Sequence, residues 1–190
     1  MTVSDQRMSL GYRRIGAAMP RRWPSVVALG LVLLIWPTGA ESTVRALAEL
    51  LVVLPLIYLV TAALGRPDRT WAVFGALGVL FGLLSVQNLV PTTVVLAVVA
   101  ALAVALALRH DRVDRPFLAQ LAGFALFTVL AVAAQHVDIG WARVLVAAGW
   151  IGHGLWDYEH RHARRTVART FAEFCGLVDV LVGVAVLAIP

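Results

Sequence analysis

The stretch Trp150-Ile-Gly-His-Gly-Leu-Trp-Asp-Tyr-Glu-His-Arg-His162 holds most of the residue types in this chain that can do chemistry. His153, Asp157 and His160 are spaced i, i+4, i+7, which on a helix sets all three along one stripe. Imidazole, carboxylate and imidazole on one face suit either of two tasks. They can pass a proton, or they can supply nitrogen and oxygen ligands to a metal, with His153, Asp157 and His160 as the candidate metal set. His162 falls off the stripe, so a closed metal site would need ligands from another helix. Further along, Asp179 stands in an apolar run interrupted otherwise only by Glu173. Trp150 and Trp156 flank the stripe and are expected to wall a site there.

These groups sit in a chain that lipid must solvate. Of its 190 residues, 61% are hydrophobic and only 14% are charged, and the mean hydropathy is +0.85. Soluble domains are about 45–50% apolar, and one of this size could not bury the excess. Apolar stretches read as spans near 24–40, 44–65, 70–89, 92–108, 116–136, 141–158 and 171–189. Each is close to the roughly 20 residues that cross about 30 Å of hydrocarbon as helix. The fold class expected is all-α: a polytopic bundle of seven transmembrane helices formed by residues 24–190 as one domain. Residues 1–23 form a basic tail in the cytoplasm or on the membrane surface. A competing reading takes the first apolar run as a signal peptide cleaved after Ala40, which leaves six spans.

Arginine placement sets the orientation. All sixteen basic residues are arginines, and fourteen fall in the tail or in the connections after spans two, four and six. Only Arg45 and Arg143 fall on the other side. That split predicts a cytoplasmic N-terminus and an outside C-terminus. Trp23, Trp36, Trp71 and Trp141 fall at span ends, where amphipathic rings favour the headgroups. The arginines make no continuous basic face, so nucleic acid is excluded as a partner. The richness in Ala, Val, Leu, Gly and Arg points to a bacterium with a GC-rich genome, and the expected location is its plasma membrane.

Depth links Asp179 to the stripe. Spans six and seven form a hairpin around the turn 161–170. If it is symmetric about residue 166, His153 lies level with Asp179, Asp157 with Cys175, and Glu159 with Glu173. His153 and Asp179 then lie about 12–13 Å from the turn, near mid-bilayer. An ionisable group at that depth costs about 2.5–3.5 kcal/mol on insertion scales and rarely faces lipid. The two are therefore expected to pair, with Asp157 and His160 leading toward the cytoplasm.

Secondary expectations follow from shorter patterns. Gly75, Gly78 and Gly82 in span three, and Ala147, Ala148, Gly149 and Gly152 in span six, present small faces for close helix packing inside the bundle or between copies in a homo-oligomer. Arg45 is expected to pair with Glu49 one turn on, and Gln120 to bond a neighbouring helix. Arg161, Arg164, Arg165 and Arg169 are candidates for anionic lipid headgroups. The lone Cys175 excludes an internal disulfide. No HExxH, GxSxG, phosphate-cradling glycine loop or paired histidine box is present, so no cofactor is named.

Three function classes remain: a small transporter or proton-coupled carrier with its polar site between helices six and seven, a membrane-embedded enzyme acting on lipid or isoprenoid with or without a metal, and a structural subunit. The first is the leading expectation, because the ionisable residues lie at mid-depth. Nothing in the sequence decides whether the protein is an enzyme.

Overall fold

A computed structural model describes residues 22–87, 89–163 and 165–188. The described residues form seven α-helices and one short 3-10 turn, with no strand. The helices are α1 (Trp23–Leu34), α2 (Glu41–Leu64), α3 (Thr70–Ser85), α4 (Thr92–Arg109), α5 (Arg115–His136), α6 (Ile139–Ala163) and α7 (Arg169–Ala188). Four of them, α2, α4, α5 and α7, are long and apolar enough to cross a membrane. The α3 helix has 16 residues and α1 only 12, ending at Leu34 before Pro37. The α6 helix has 25 residues, and its polar side chains, His153, Asp157 and the run Glu159–His162 among them, lower its hydropathy. Most of the expected basic tail, residues 1–21, lies outside the described residues.

The central element is α2. Every residue from Leu51 to Leu59 is buried, including Tyr58 and the internal Pro55. Such a stretch is hydrophobic on all sides because other helices surround it. Its C-terminus is closed by Gly65, whose φ of 60° suits a residue without Cβ. The Arg112 guanidinium donates to the carbonyls of Ala63 (3.0 Å) and Leu64 (2.5 Å), which satisfies carbonyls that the helix end leaves open. At the other end Arg45 donates to the carbonyls of Ala134 and Val137, and Gln135 donates to Arg45 O at 2.8 Å. Arg143 donates to Gly39 O. Both arginines that depart from the charge split thus bond backbone carbonyls at helix ends and turns. Arg45 pairs with Glu41 at 2.9 Å, not with Glu49: the partner lies one turn before it rather than after.

The α6 and α7 helices pack against each other through glycines. A Cβ on Gly154 would stand 2.8 Å from Val180 Cγ2 and 3.1 Å from Gly176 O. One on Gly183 would stand 2.7 Å from Ile151 Cγ1 and 3.1 Å from Ala147 O. The small face expected on α6 is real in part: a Cβ on Gly149 would overlap Leu51 of α2, whereas Ala148 is exposed. The small face of α3 does not pack against the described residues, none of which lies within 4 Å of a Cβ placed on Gly75, Gly78 or Gly82. The α1 helix leans on α7, where Ser25 Oγ donates to Glu173 Oε1 at 2.7 Å, and it buries Ala28 and Val32.

Candidate functional site

Between α6, α7 and α2 lies a cluster of polar groups with no solvent exposure. His153 Nδ1–H donates to Asp179 Oδ2 at 2.7 Å, joining α6 to α7. The same nitrogen is 3.5 Å from Asp157 Oδ2, one turn along α6. Cys175, one turn before Asp179 on α7, places Sγ 3.8 and 3.9 Å from that carboxylate's two oxygens. The Tyr58 hydroxyl of α2 donates to Asp157 Oδ1. Relative exposure is 0% at His153, Asp157, Asp179 and Tyr58, and 2% at Cys175. One ligand atom from each of His153, Asp157, Cys175 and Asp179 falls within 4.8 Å of all the others.

The helical spacing and the glycine crossing create this arrangement. Residues four apart on α6 and α7 project from the same face. Gly154 and Gly176 let the backbones approach until a Cβ on Gly176 would be 3.0 Å from Asp157 Cβ. Side chains as short as Asp and Cys therefore meet across the interface.

The cluster carries an electrostatic imbalance. It holds two carboxylates, and the ion pairs that they make among the described residues both end on the one His153 ring. Two polar atoms of the cluster make no hydrogen bond among the described residues: Asp157 Oδ2 and His153 Nε2. Buried polar atoms are bonded in the great majority of cases, and an orphan costs about 1–3 kcal/mol. Tyr58 and Phe127 stand edge-on to the His153 ring, with centroids 5.4 and 5.2 Å away, and close the site to water.

The remaining candidates stand apart from this centre. His160 points the other way: its Nδ1–H donates to Trp156 O at 2.8 Å, and its Nε2 accepts from Gln120 of α5 at 2.9 Å. Those two bonds hold a neutral imidazole, and they remove His160 from the candidate metal set of His153, Asp157 and His160. They also supply the neighbouring-helix bond expected of Gln120. Tyr58 bridges the two levels, with its ring 5.0 Å from that of His160. Glu173 does not join the centre either. It accepts from Ser25 and pairs with Arg161 (3.4 Å) and Arg22 (3.8 Å) at the end of the hairpin. Glu159 is exposed.

The two tryptophans divide. Trp150 is buried, donates to Leu47 O at 3.1 Å, and lines a small cavity of about 90 Å³ beside Cys175 and Asp179. Trp156 packs instead on α5, 3.2 Å from a Cβ placed on Gly123, and against His160.

Tyr58 and Cys175 are members of the cluster that the stripe on α6 did not reveal. A signal for Tyr58 existed: a hydroxyl-bearing ring in mid-span, away from either headgroup belt, needs a buried partner.

The arginine-rich end forms two open clefts. One, of about 500 Å³, is lined by Arg22, Arg161, Arg169, Thr170 and Glu173. Another, of about 460 Å³, is lined in part by Arg112, Arg165 and Thr166. Arg164 lies outside the described residues. A third cleft, of about 290 Å³, runs along the α6–α7 crossing from Arg22, Ser25 and Tyr158 to Gly154 and Gly176. Comparison with protein-family models, with curated proteins and with solved structures finds no match.

Proposed function

We propose that this protein is a small carrier of the bacterial plasma membrane, with seven spans, a cytoplasmic N-terminus and an outside C-terminus. The site between α6 and α7 holds the cation that it moves or is coupled to. The orientation is supported by the fourteen arginines in the tail and the alternate connections. Retention of the first span is supported by the bond from Ser25 to Glu173, which ties α1 to α7. The clefts at Arg161, Arg165 and Arg169 are suited to anionic lipid headgroups on the cytoplasmic side.

The observation that carries the reading is the surplus carboxylate. A His–Asp bond between two helices is enough to fix their packing. Asp157 adds a second buried acid next to the same imidazole, and its Oδ2 makes no hydrogen bond among the described residues. A group so costly is accounted for by a cation that comes and goes. The cleft that ends at Gly154 and Gly176 leads toward Asp157 from the arginine-rich end. The cavity touching Asp179 has about 90 Å³, whereas sites for organic ligands take about 300–1,000 Å³. That size favours an ion over a lipid substrate, and hence a carrier over a lipid-acting enzyme.

The test is cation-driven proton movement. Purified protein is reconstituted in liposomes that trap a pH-sensitive dye, and inward gradients of Na⁺, K⁺, Mg²⁺, Mn²⁺ and Zn²⁺ are applied in turn. At least one gradient is expected to move protons in the wild type. Asp179→Asn, eluting as the wild type does on size exclusion, is expected to lose that signal. Absence of a signal with every cation, or an undiminished signal in Asp179→Asn, overturns the reading.

A further inference from the structure

We infer that His153, Asp157, Cys175 and Asp179 form a four-ligand site for one divalent transition-metal ion of the zinc type. The inference rests on the carrier reading for what the ion does in the membrane, and on the cluster alone for its binding.

The donor set comes first. One imidazole, two carboxylates and one thiol are the ligand types that zinc and its neighbours take, and four is the number that a closed tetrahedral site requires. Magnesium and calcium prefer six or more oxygens and would leave the nitrogen and sulfur unused. The geometry agrees. Zinc–ligand bonds of about 2.0–2.3 Å place tetrahedral ligand atoms about 3.3–3.5 Å apart. Here His153 Nδ1 is 2.7 Å from Asp179 Oδ2 and 3.5 Å from Asp157 Oδ2. Cys175 Sγ is 3.8 Å from Asp179 Oδ2, and all four ligand atoms fall within 4.8 Å. Small side-chain movements close that set around an ion.

Independent observations point the same way. Asp157 Oδ2 is fully buried, lies inside the cluster 3.5 Å from His153 Nδ1, and makes no hydrogen bond among the described residues. Its sister oxygen is held by the Tyr58 hydroxyl, the kind of outer partner that orients a ligating carboxylate. His153 Nε2 likewise makes no hydrogen bond among the described residues. When Nδ1 becomes a ligand, the imidazolium gives its Nδ1 proton to water and the ring becomes neutral with Nε2 protonated. Charge then balances: two carboxylates match a divalent ion if Cys175 binds as the thiol, and a thiolate leaves one negative charge after its proton passes to water.

Cobalt(II) is the probe, because thiolate ligation gives a charge-transfer band and four-coordination gives intense visible bands. The full chain, freed of any affinity tag and held in detergent, is titrated with Co²⁺. One equivalent is expected to bind with both signatures, and Zn²⁺ is expected to displace it. Cys175→Ser, a near-isosteric change, should lose the charge-transfer band. Asp157→Asn and Asp179→Asn should weaken Co²⁺ by at least about 10–100-fold, the range that even outer-shell changes produce. A folded wild type that takes up no stoichiometric Co²⁺ overturns the site, as does binding that Cys175→Ser and Asp179→Asn leave unchanged. Co²⁺ binding without cation-driven proton movement upholds the site and overturns the carrier. Proton movement without Co²⁺ binding does the reverse.

Discussion

Removing His153 should harm the fold far more than removing Asp179, although the two are partners in one hydrogen bond. The reason is that the imidazole is shared. In Asp179→Leu the ring loses a contact of 2.7 Å but keeps Asp157 Oδ2 at 3.5 Å. At an effective dielectric near 20, unit charges at those separations attract by about 6 and about 5 kcal/mol before desolvation, so most of the attraction survives. The net cost of the variant is then about 1–3 kcal/mol, the range for one lost buried hydrogen-bond partner. In His153→Leu both carboxylates lose their one cationic partner together. Stranding a buried charge costs about 3–5 kcal/mol, and here there are two. The double variant should recover part of that loss, because only Asp157 then remains, still bonded to Tyr58. The assay is reversible unfolding in mixed micelles with increasing denaturing detergent and a chelator present, completed as a double-mutant cycle. If His153→Leu costs no more than Asp179→Leu, the shared-imidazole account is wrong.

Other expectations follow from the same geometry. Tyr58→Phe should cost about 1.5–3 kcal/mol in that assay, because it removes the hydroxyl that donates to Asp157 Oδ1 and leaves that carboxylate, among the described residues, with the His153 ring alone. Gly176→Ala should cost about 1–3 kcal/mol, since the new methyl meets Asp157 Cβ at 3.0 Å; Gly78→Ala, with nothing within 4 Å, should be neutral or stabilising by up to about 1 kcal/mol. Arg112→Ala should lower stability by about 1 kcal/mol and speed amide exchange at the end of α2, whose last carbonyls it bonds. For orientation, Thr38→Cys and Asp138→Cys in a Cys175→Ser background should react with an impermeant maleimide on intact cells, whereas Asp68→Cys and Asp111→Cys should react only after lysis; the opposite sorting refutes the orientation.

Much of the helix order could be read from hydropathy and from the arginines that mark the turns, because long apolar helices alternate here with short charged connections. The hairpin rule placed His153 beside Asp179 for a simple reason: two antiparallel helices of equal rise bring equal heights together. It was less useful for Glu173, because level says nothing about the face of the helix. Glu173 turns toward Ser25 of α1 and Arg22 just before it, a part of the chain the hairpin argument left out. His160 shares the stripe with His153 and Asp157, yet the bonds that hold it run to its own preceding turn and to Gln120. Spacing gives the side of a helix, and the bond that wins there depends on what the neighbour offers. The open glycines of α3 show the same limit, since a small-residue pattern marks where a close approach can occur and not whether one does.

Pro55 has a consequence for the centre. Lacking an N–H, it leaves the carbonyl of Leu51 without its usual rung, so the backbone ladder of α2 is interrupted in mid-helix. The near half is pinned at Arg45 and the far one at Arg112. Tyr58 stands on the far half, just past the interruption. The bond from its hydroxyl to Asp157 therefore ties α2 to α6 within one turn of the missing rung.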